Sequence, residues 1–426
     1  MTPASDTAPL WRYLRLNDFT SPSPTTKETV RKGVTELWHK LMGDSKSEEP
    51  IRAQDELKSL SDELYAQIAP EPDWTELVTA LNEALEKGLT TRVSQAQIVV
   101  GAPFSGITET LEHWAKHRGI KIIKPPSPET ILNQEQQWLQ RLEEEGSARP
   151  LVISHLERCY LRHHHGLKLI RQLLQWLSTR PGYCVLGCSS WAWAYFSKAL
   201  QAEKLFSIPW TLGALNQERL QQWFSNLNTS QQQETFIFRQ LDNGDFVIPP
   251  SRDDSFTKRT TQKRFTSVSV DSDDTARTEA STFLTDLAAY SRGNPGVAWA
   301  LWRQSLQGVP ETKNDDHDHA SDLDKPTQNH TIWVKPWSQI QHLALSESAD
   351  RSTLQILHTL LLHGPLPASL LIELLPLSGF EIRRILTYLE YRNFLISARG
   401  QWQLTPLGYP AVRQALEEEG YLLDSL

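Results

Sequence analysis

At 426 residues the chain is long enough for two or three domains, each with its own core. Hydrophobic residues at 39% and charged residues at 22% are ordinary for a globular chain in water, and no apolar run reaches the roughly 18 residues that a membrane-spanning helix needs. A formal net charge of −8 weighs against the whole chain coating nucleic acid, and the cysteines Cys159, Cys184 and Cys188 are too few for a disulfide framework, so a reducing cytoplasm is the expected compartment.

Residues 1–95 are expected to be a helical N-terminal region. The opening MTPASDTAPLW lacks the charged-then-apolar order of a secretory signal. Apolar helical pieces at Trp11, Leu14 and Leu16, and at Val34, Leu37, Trp38 and Leu41, flank the polar stretch SPSPTTKE. Leu57, Leu60, Leu64 and Ile68 repeat at helical spacing. A clearer helix starts at Asp73, which caps it with Glu76 three residues on, and Trp74, Leu77, Val78, Leu81 and Leu85 form its apolar stripe.

Between 96 and 227 the rhythm changes to short apolar runs alternating with helices. The runs are Gln97–Val100, Ile120–Ile123, Leu151–Ser154 and Tyr183–Gly187, with a fifth near Leu205–Trp210. The helices are Thr108–Arg118, Pro128–Glu145 and Gly166–Thr179, followed by Asn216–Leu227 with Asn216 as cap. This alternation predicts an α/β core, a parallel sheet of about five strands covered on both faces. Residues 228–307 read as an insertion and a helical lid. FIFRQLDNGDFVIPP is a hairpin turning at Asn243-Gly244, KRTTQKRF and SVSVDSDDT an exposed insertion, and helices return at Thr275–Ser291 and Pro295–Leu306. Residues 308–339 are a polar, acidic linker. Residues 340–426 predict helices at about 350–363, 367–375 and Phe380–Tyr391, then a hairpin turning near Arg399-Gly400, the pattern of a winged helix.

One stretch carries chemistry. In QIVVGAPFSGITETL an apolar run enters Gly101, and Gly106 follows five residues later at a helix start. Glycines so spaced let backbone N–H groups wrap a phosphate, with Ala102 and Ser105 inside the loop and Thr108 placed to bind magnesium. The motif asks for lysine where this chain has Ile107. It also asks for a carboxylate at the end of a neighbouring strand, where LVISHLER offers Ser154-His155; Glu157, three residues on, would have to reach back.

The order of glycine loop, LVISHLER strand, YCVLGCSSW strand, PWTLGAL segment and SRGNPGVAWALW helix, followed by a winged helix, resembles the AAA+/STAND group of P-loop NTPases over about 96–210 and 275–426. The resemblance implies a γ-phosphate-sensing polar residue at Ser189 or Ser190. It also implies a lid helix opening at Gly293-Asn294-Pro295 with Arg292 beside it. It implies a cofactor too, ATP or ADP with magnesium, held by the loop, Thr108, Glu157, Ser189 and Arg292. Ile107 and Ser154-His155 depart from the family at the motifs it most depends on. The expected protein is therefore a pseudo-ATPase with no resident cofactor, a cytoplasmic scaffold or regulatory adaptor that binds other proteins or assembles into homo- or hetero-oligomers.

Two alternatives stand beside it. One is an ATP/ADP-binding switch with little or no hydrolysis. The other is a nucleic-acid-binding regulator using the winged helix and the basic cluster Lys258, Arg259, Lys263 and Arg264. Nucleic acid is the less favoured partner, because residues 350–426 carry six arginines against eight carboxylates, a net −2. Arg158, Arg162 and Arg180 are candidate arginine fingers. His163-His164-His165 and Asp315-Asp316-His317-Asp318-His319 read as a solvated turn and a solvated linker rather than metal sites.

Overall fold

A computed structural model describes residues 9–23, 60–90, 96–146, 150–163, 165–180, 182–229, 236–249, 281–308, 330–345 and 350–426. The N-terminal pieces at 34–57, the basic cluster at 258–264, His164 and the acidic stretch at 315–319 lie outside the described residues.

The centre is a six-stranded sheet in the order β1-β6-β2-β5-β4-β3. Its parallel strands are β2 (Ala96–Gly101), β3 (Lys121–Ile122), β4 (Leu151–Ile153), β5 (Cys184–Ser189) and β6 (Trp210–Leu212). Between them run α3 (Ile107–His117), α4 (Pro128–Asn133), α5 (Glu135–Gly146), α6 (Lys168–Thr179) and α7 (Ser190–Leu200). Alternation along each strand divides two cores. Ile98, Val100, Leu151, Ile153, Cys184 and Leu186 face α5, α6 and α7, whereas Val99, Val152 and Val185 face α3 and the helix α2 (Glu76–Thr90). A strand buried on both faces reads as a continuous apolar run, which is why this α/β layer was legible.

Several elements differ from expectation. The piece around Trp11–Leu16 is an edge strand, β1 (Tyr13–Arg15), antiparallel to β6 with Tyr13 opposite Leu212, not a helix. The fifth core strand begins at Trp210; Leu205 and Ile208 lie before it with exposed side chains. The expected helix 128–145 breaks at Gln134, whose φ of −132° leaves the helical region. Asp73 accepts the Thr75 N–H at 2.9 Å in a turn before α2, while Glu76 takes the indole N–H of Trp11 at 3.0 Å instead of closing a capping box. A short helix, α1 (Asp62–Ile68), precedes that turn.

After α8 (Gln217–Thr229), Asn243-Gly244 does turn the chain, leaving one antiparallel bridge between Arg239 and Phe246. Strand β7 (Phe236–Gln240), however, pairs in parallel with β9 (His330–Val334), which also pairs with β8 (Leu306–Gln307). The segment expected as linker thus ends in a strand that completes this small sheet. Around it pack α9 (Phe283–Tyr290) and α10 (Pro295–Ser305), with Trp302 buried between Phe224 and Phe283.

The C-terminal part consists of α11 (Arg351–His363), α12 (Ala368–Leu374), α13 (Gly379–Tyr391) and the hairpin β10 (Leu395–Ala398)–β11 (Gln401–Leu404). Arg399 and Gly400 turn the hairpin with φ of 51° and 75°. A further helix that the sequence did not announce, α14 (Tyr409–Glu418), packs against α11. No helix among the described residues is long and apolar enough to cross a membrane.

Candidate functional site

Strand β2 delivers Gly101 to the C-terminal edge of the sheet between β5 and β6, the place where α/β folds put their ligands. Residues Ala102–Gly106 then turn back into α3. The turn closes on itself, because both the N–H and the hydroxyl of Ser105 donate to the Ala102 carbonyl, at 3.2 and 2.6 Å. Gly106 is the N-cap of α3 at φ +70°, and a β-carbon there would lie 2.3 Å from the Trp74 ring. Both the backbone conformation and the indole cover therefore demand glycine.

Ile107 is 6% exposed and folds back over the start of the loop; a β-carbon on Gly101 would stand 2.4 Å from its Cδ1. Methyl groups occupy the position from which a lysine would reach a phosphate. Pro103 brings no N–H, and its carbonyl accepts the side-chain amide of Asn294, the N-cap of α10, at 2.7 Å. Phe104, strained at φ +68°, sets its ring edge against Tyr409 of α14 at 5.9 Å. The loop is thus clasped by Trp74, by Asn294 at the start of α10 and by Tyr409 of α14 at once.

On one side of the loop lies a cleft of about 660 Å³. Gly101, Ala102, Ser105, Gly106, Ile107 and Thr108 line it together with Glu157 and Ser189. Glu157, 7% exposed, sits in the 3-10 turn Leu156–Arg158 after β4. One of its oxygens meets His155 Nδ1 at 2.7 Å and the other accepts the Ser189 N–H at 3.2 Å. Ser189 is spent on capping α7, its Oγ accepting from the Ala192 N–H at 3.2 Å. Ser154 donates to Glu112 Oε1 at 3.1 Å. Glu112 was missed in the sequence, although it stands one helical turn beyond Thr108 on the same face of α3. Glu109, Glu112 and Glu157 line the cleft together with Arg158, so it is acidic overall.

Arg292 is on the other side of the loop. It and Gly293, at φ of 54° and 71°, reverse the chain between α9 and α10. A β-carbon on Gly293 would lie 2.6 Å from the Leu215 nitrogen, whose N–H donates to the Gly293 carbonyl. The Arg292 Nε donates to the Leu426 carbonyl at 3.1 Å. Leu426 is 5% exposed and fills the space beside the loop, leaving about 30 Å³ among Gly101, Ala102, Ser105, Ile107 and Arg292, room for about one water. Asp424 anchors this tail by a buried ion pair with Arg413 and a hydrogen bond from Ser190 Oγ. Burial pushes the Asp424 carboxyl up against the pull of Arg413, and lowers the Arg292 guanidinium. Ser190, an alternative to Ser189 for sensing phosphate, thus holds the tail.

The remaining candidates separate. Arg180 is buried and donates to the Tyr183 carbonyl at 3.1 Å, so it is a structural group rather than a finger. Arg158 lines the acidic cleft, while Arg162 meets His358 of α11. Arg383 and Arg384 are exposed on α13. All three thiols are free and buried, and burial raises their pKa. His163 and His165 sit in a turn with rings 5.9 Å apart, and no group of three or more His, Cys, Asp or Glu among the described residues is disposed to hold a metal.

No protein-family model matches this sequence, and no curated protein matches it. Among solved structures, the chain is similar to the Thermotoga maritima RuvB Holliday junction branch migration motor at 14% identity, covering 82% of this chain and 95% of that one, TM-score 0.30. It is similar to Caenorhabditis elegans PCH-2 at 14% identity over 68% and 89% of the two chains, TM-score 0.26. For the Aeropyrum pernix ORC2 protein in its ADPNP–ADP complexes the identity is 11%, the coverage 96% of each chain and the TM-score 0.30. The chain's own parallel sheet, with a strand–glycine loop–helix unit at its centre, gives it a P-loop NTPase-like α/β core.

Proposed function

We propose that this protein is a P-loop-type, AAA+-like pseudo-ATPase whose glycine loop has become a structural junction, and that it acts as a scaffold or regulatory adaptor through contacts with other proteins. The observation that carries this reading is Ile107 folded over Gly101 inside the loop. A phosphate placed there meets methyl groups and forgoes a charge-assisted contact of about 1.5–3 kcal/mol. Glu157, the nearest substitute for the missing strand-end carboxylate, is already engaged by His155 and the Ser189 N–H. Leu426 fills the far side of the loop, where the Arg292 side chain points.

The C-terminal helices and hairpin fit a winged helix used for protein contact. Phe380 and Tyr391 of α13 are 75% and 84% exposed, and the net charge of 350–426 is unfavourable for nucleic acid. In this reading the chain divides into 1–95, 96–227, 228–307, 308–339 and 340–426, and β9 joins the lid sheet. Buried free thiols fit a reducing cytoplasm.

The size of the cleft favours one second reading, a nucleotide-binding switch, because its 660 Å³ leaves room beside Thr108 despite the carboxylates of Glu112 and Glu157. Purified protein with magnesium and ATP tests both. The pseudo-ATPase releases no phosphate above a Glu157→Ala control and shows no melting shift. A ligand at 100 times its dissociation constant would stabilise the fold by about 2.7 kcal/mol, so such a shift, lost in Thr108→Ala, establishes the switch. Phosphate release above the control refutes the pseudo-ATPase.

A further inference from the structure

We propose that the cavity between the core and the C-terminal helices binds a small amphipathic phosphate, a phosphate monoester carried on an aromatic or aliphatic body. Its volume is about 820 Å³, inside the range of about 300–1,000 Å³ typical of small-molecule sites. It shares no lining residue with either cleft beside the glycine loop, and it does not depend on the pseudo-ATPase reading.

Arg351, Gln355 and His358 follow one another at helical spacing, so they form one face of α11, and all three line the cavity. Arg162 enters from the core, from the turn after β4, with Nη1 3.4 Å from His358 Nδ1. Neither guanidinium is ion-paired with a carboxylate among the described residues. Arg162 instead faces an imidazole that burial, and secondarily Arg162 itself, keeps neutral. A guanidinium that lines a cleft and is held by no carboxylate within ion-pair distance among the described residues keeps donors for an anion.

A phosphate supplies three acceptor oxygens for the Arg162 fork, the Gln355 amide and Arg351, more than a carboxylate offers. Tyr195 of α7, Tyr421 and Leu354 form the apolar wall against which an aromatic or aliphatic body packs. Glu419 also lines the cavity and disfavours a second anionic group, so the ligand carries its charge at one end.

Calorimetric titration of the full chain with phenyl phosphate, inorganic phosphate, benzoate and benzyl alcohol tests the proposal. Phenyl phosphate is expected to bind about tenfold or more tightly than each of the other three. Arg162→Gln should weaken it by about tenfold and Arg351→Gln by about threefold, losses expected for charge-assisted contacts in a half-open site. Both positions are exposed, so melting curves of the variants should overlay the wild type. The proposal is overturned if phenyl phosphate gives no heat at millimolar concentration, if inorganic phosphate or benzoate binds equally well, or if Arg162→Gln changes nothing. Binding abolished by Thr108→Ala and indifferent to Arg162→Gln overturns it too, and would place the anion at the glycine loop.

Discussion

Acidification from pH 7 to pH 5 will loosen the C-terminal helices from the core through two histidines of α11. His358 and His363 are 4% and 2% exposed and mediate the junction. The Arg162 N–H donates to His363 Nε2 at 3.3 Å, Tyr160 lies 4.5 Å from the His363 ring, and Trp191 and Tyr421 pack on His358 at 5.9 and 5.1 Å. Burial, aided by the positive Arg162, lowers His358 to about 4. Burial also lowers His363 to about 3, against an opposing hydrogen bond with the Glu157 backbone and with help from Arg162 and His358.

Both folded values lie below the unfolded value of 6.5. Near pH 7 the rings are neutral in either state and cost little. Below pH 6.5 the unfolded chain takes up protons that the folded chain refuses, so stability falls until the folded values are reached. At about 1.4 kcal/mol per pH unit and site, the loss from pH 7 to 5 is about 2 kcal/mol per histidine and about 4 kcal/mol for the pair. Asp424, whose carboxyl is raised, titrates in the opposite sense, so the comparison is made between variants. Urea unfolding followed by tryptophan fluorescence at both pH values should show His363→Gln and His358→Gln each losing about 2 kcal/mol less than the wild type on acidification. Equal losses in wild type and both variants would refute the assignment of this pH dependence to the buried imidazoles.

Two further outcomes follow from the loop and the tail. Gly106→Ala should lower stability by about 2 kcal/mol or more, because φ +70° is strained for alanine and its methyl meets Trp74; Trp74→Ala in the same chain should recover part of the loss, read by thermal melting. Asp424→Asn leaves Arg413 without its buried carboxylate and should cost about 3–5 kcal/mol, whereas replacing both Asp424 and Arg413 by apolar residues should cost less than the single change.

The readable parts of this protein are those where a short window carries the signal. Ile98-Val99-Val100 before a glycine, and a helical stripe after Gly106, suffice to place β2, the loop and α3. Ile107 and Ser154-His155 likewise mark their departure from the glycine-loop pattern by identity alone. Strand β1 escaped notice because three residues have no measurable period, and β9 because HTIWV follows a polar stretch and its partner β7 lies about 90 residues earlier. The break at Gln134 is one residue inside an otherwise continuous pattern.

Sequence by itself determined the layered α/β core, the glycine turn at its edge, and Ile107 and Ser154-His155 standing where the glycine-loop pattern has lysine and acid. Those are local properties, fixed by residue identity and by spacing within one element. Only the tertiary structure decided what occupies the loop's surroundings: Trp74 over Gly106, Asn294 on Pro103, Leu426 against Arg292, and the separation of Arg292 from Glu157 by the loop between them. These contacts join residues from 32 to more than 190 positions apart. Their energy comes from burying surfaces that no window of sequence displays together, and a buried pair such as Asp424 and Arg413 declares itself only when both side chains have lost their water.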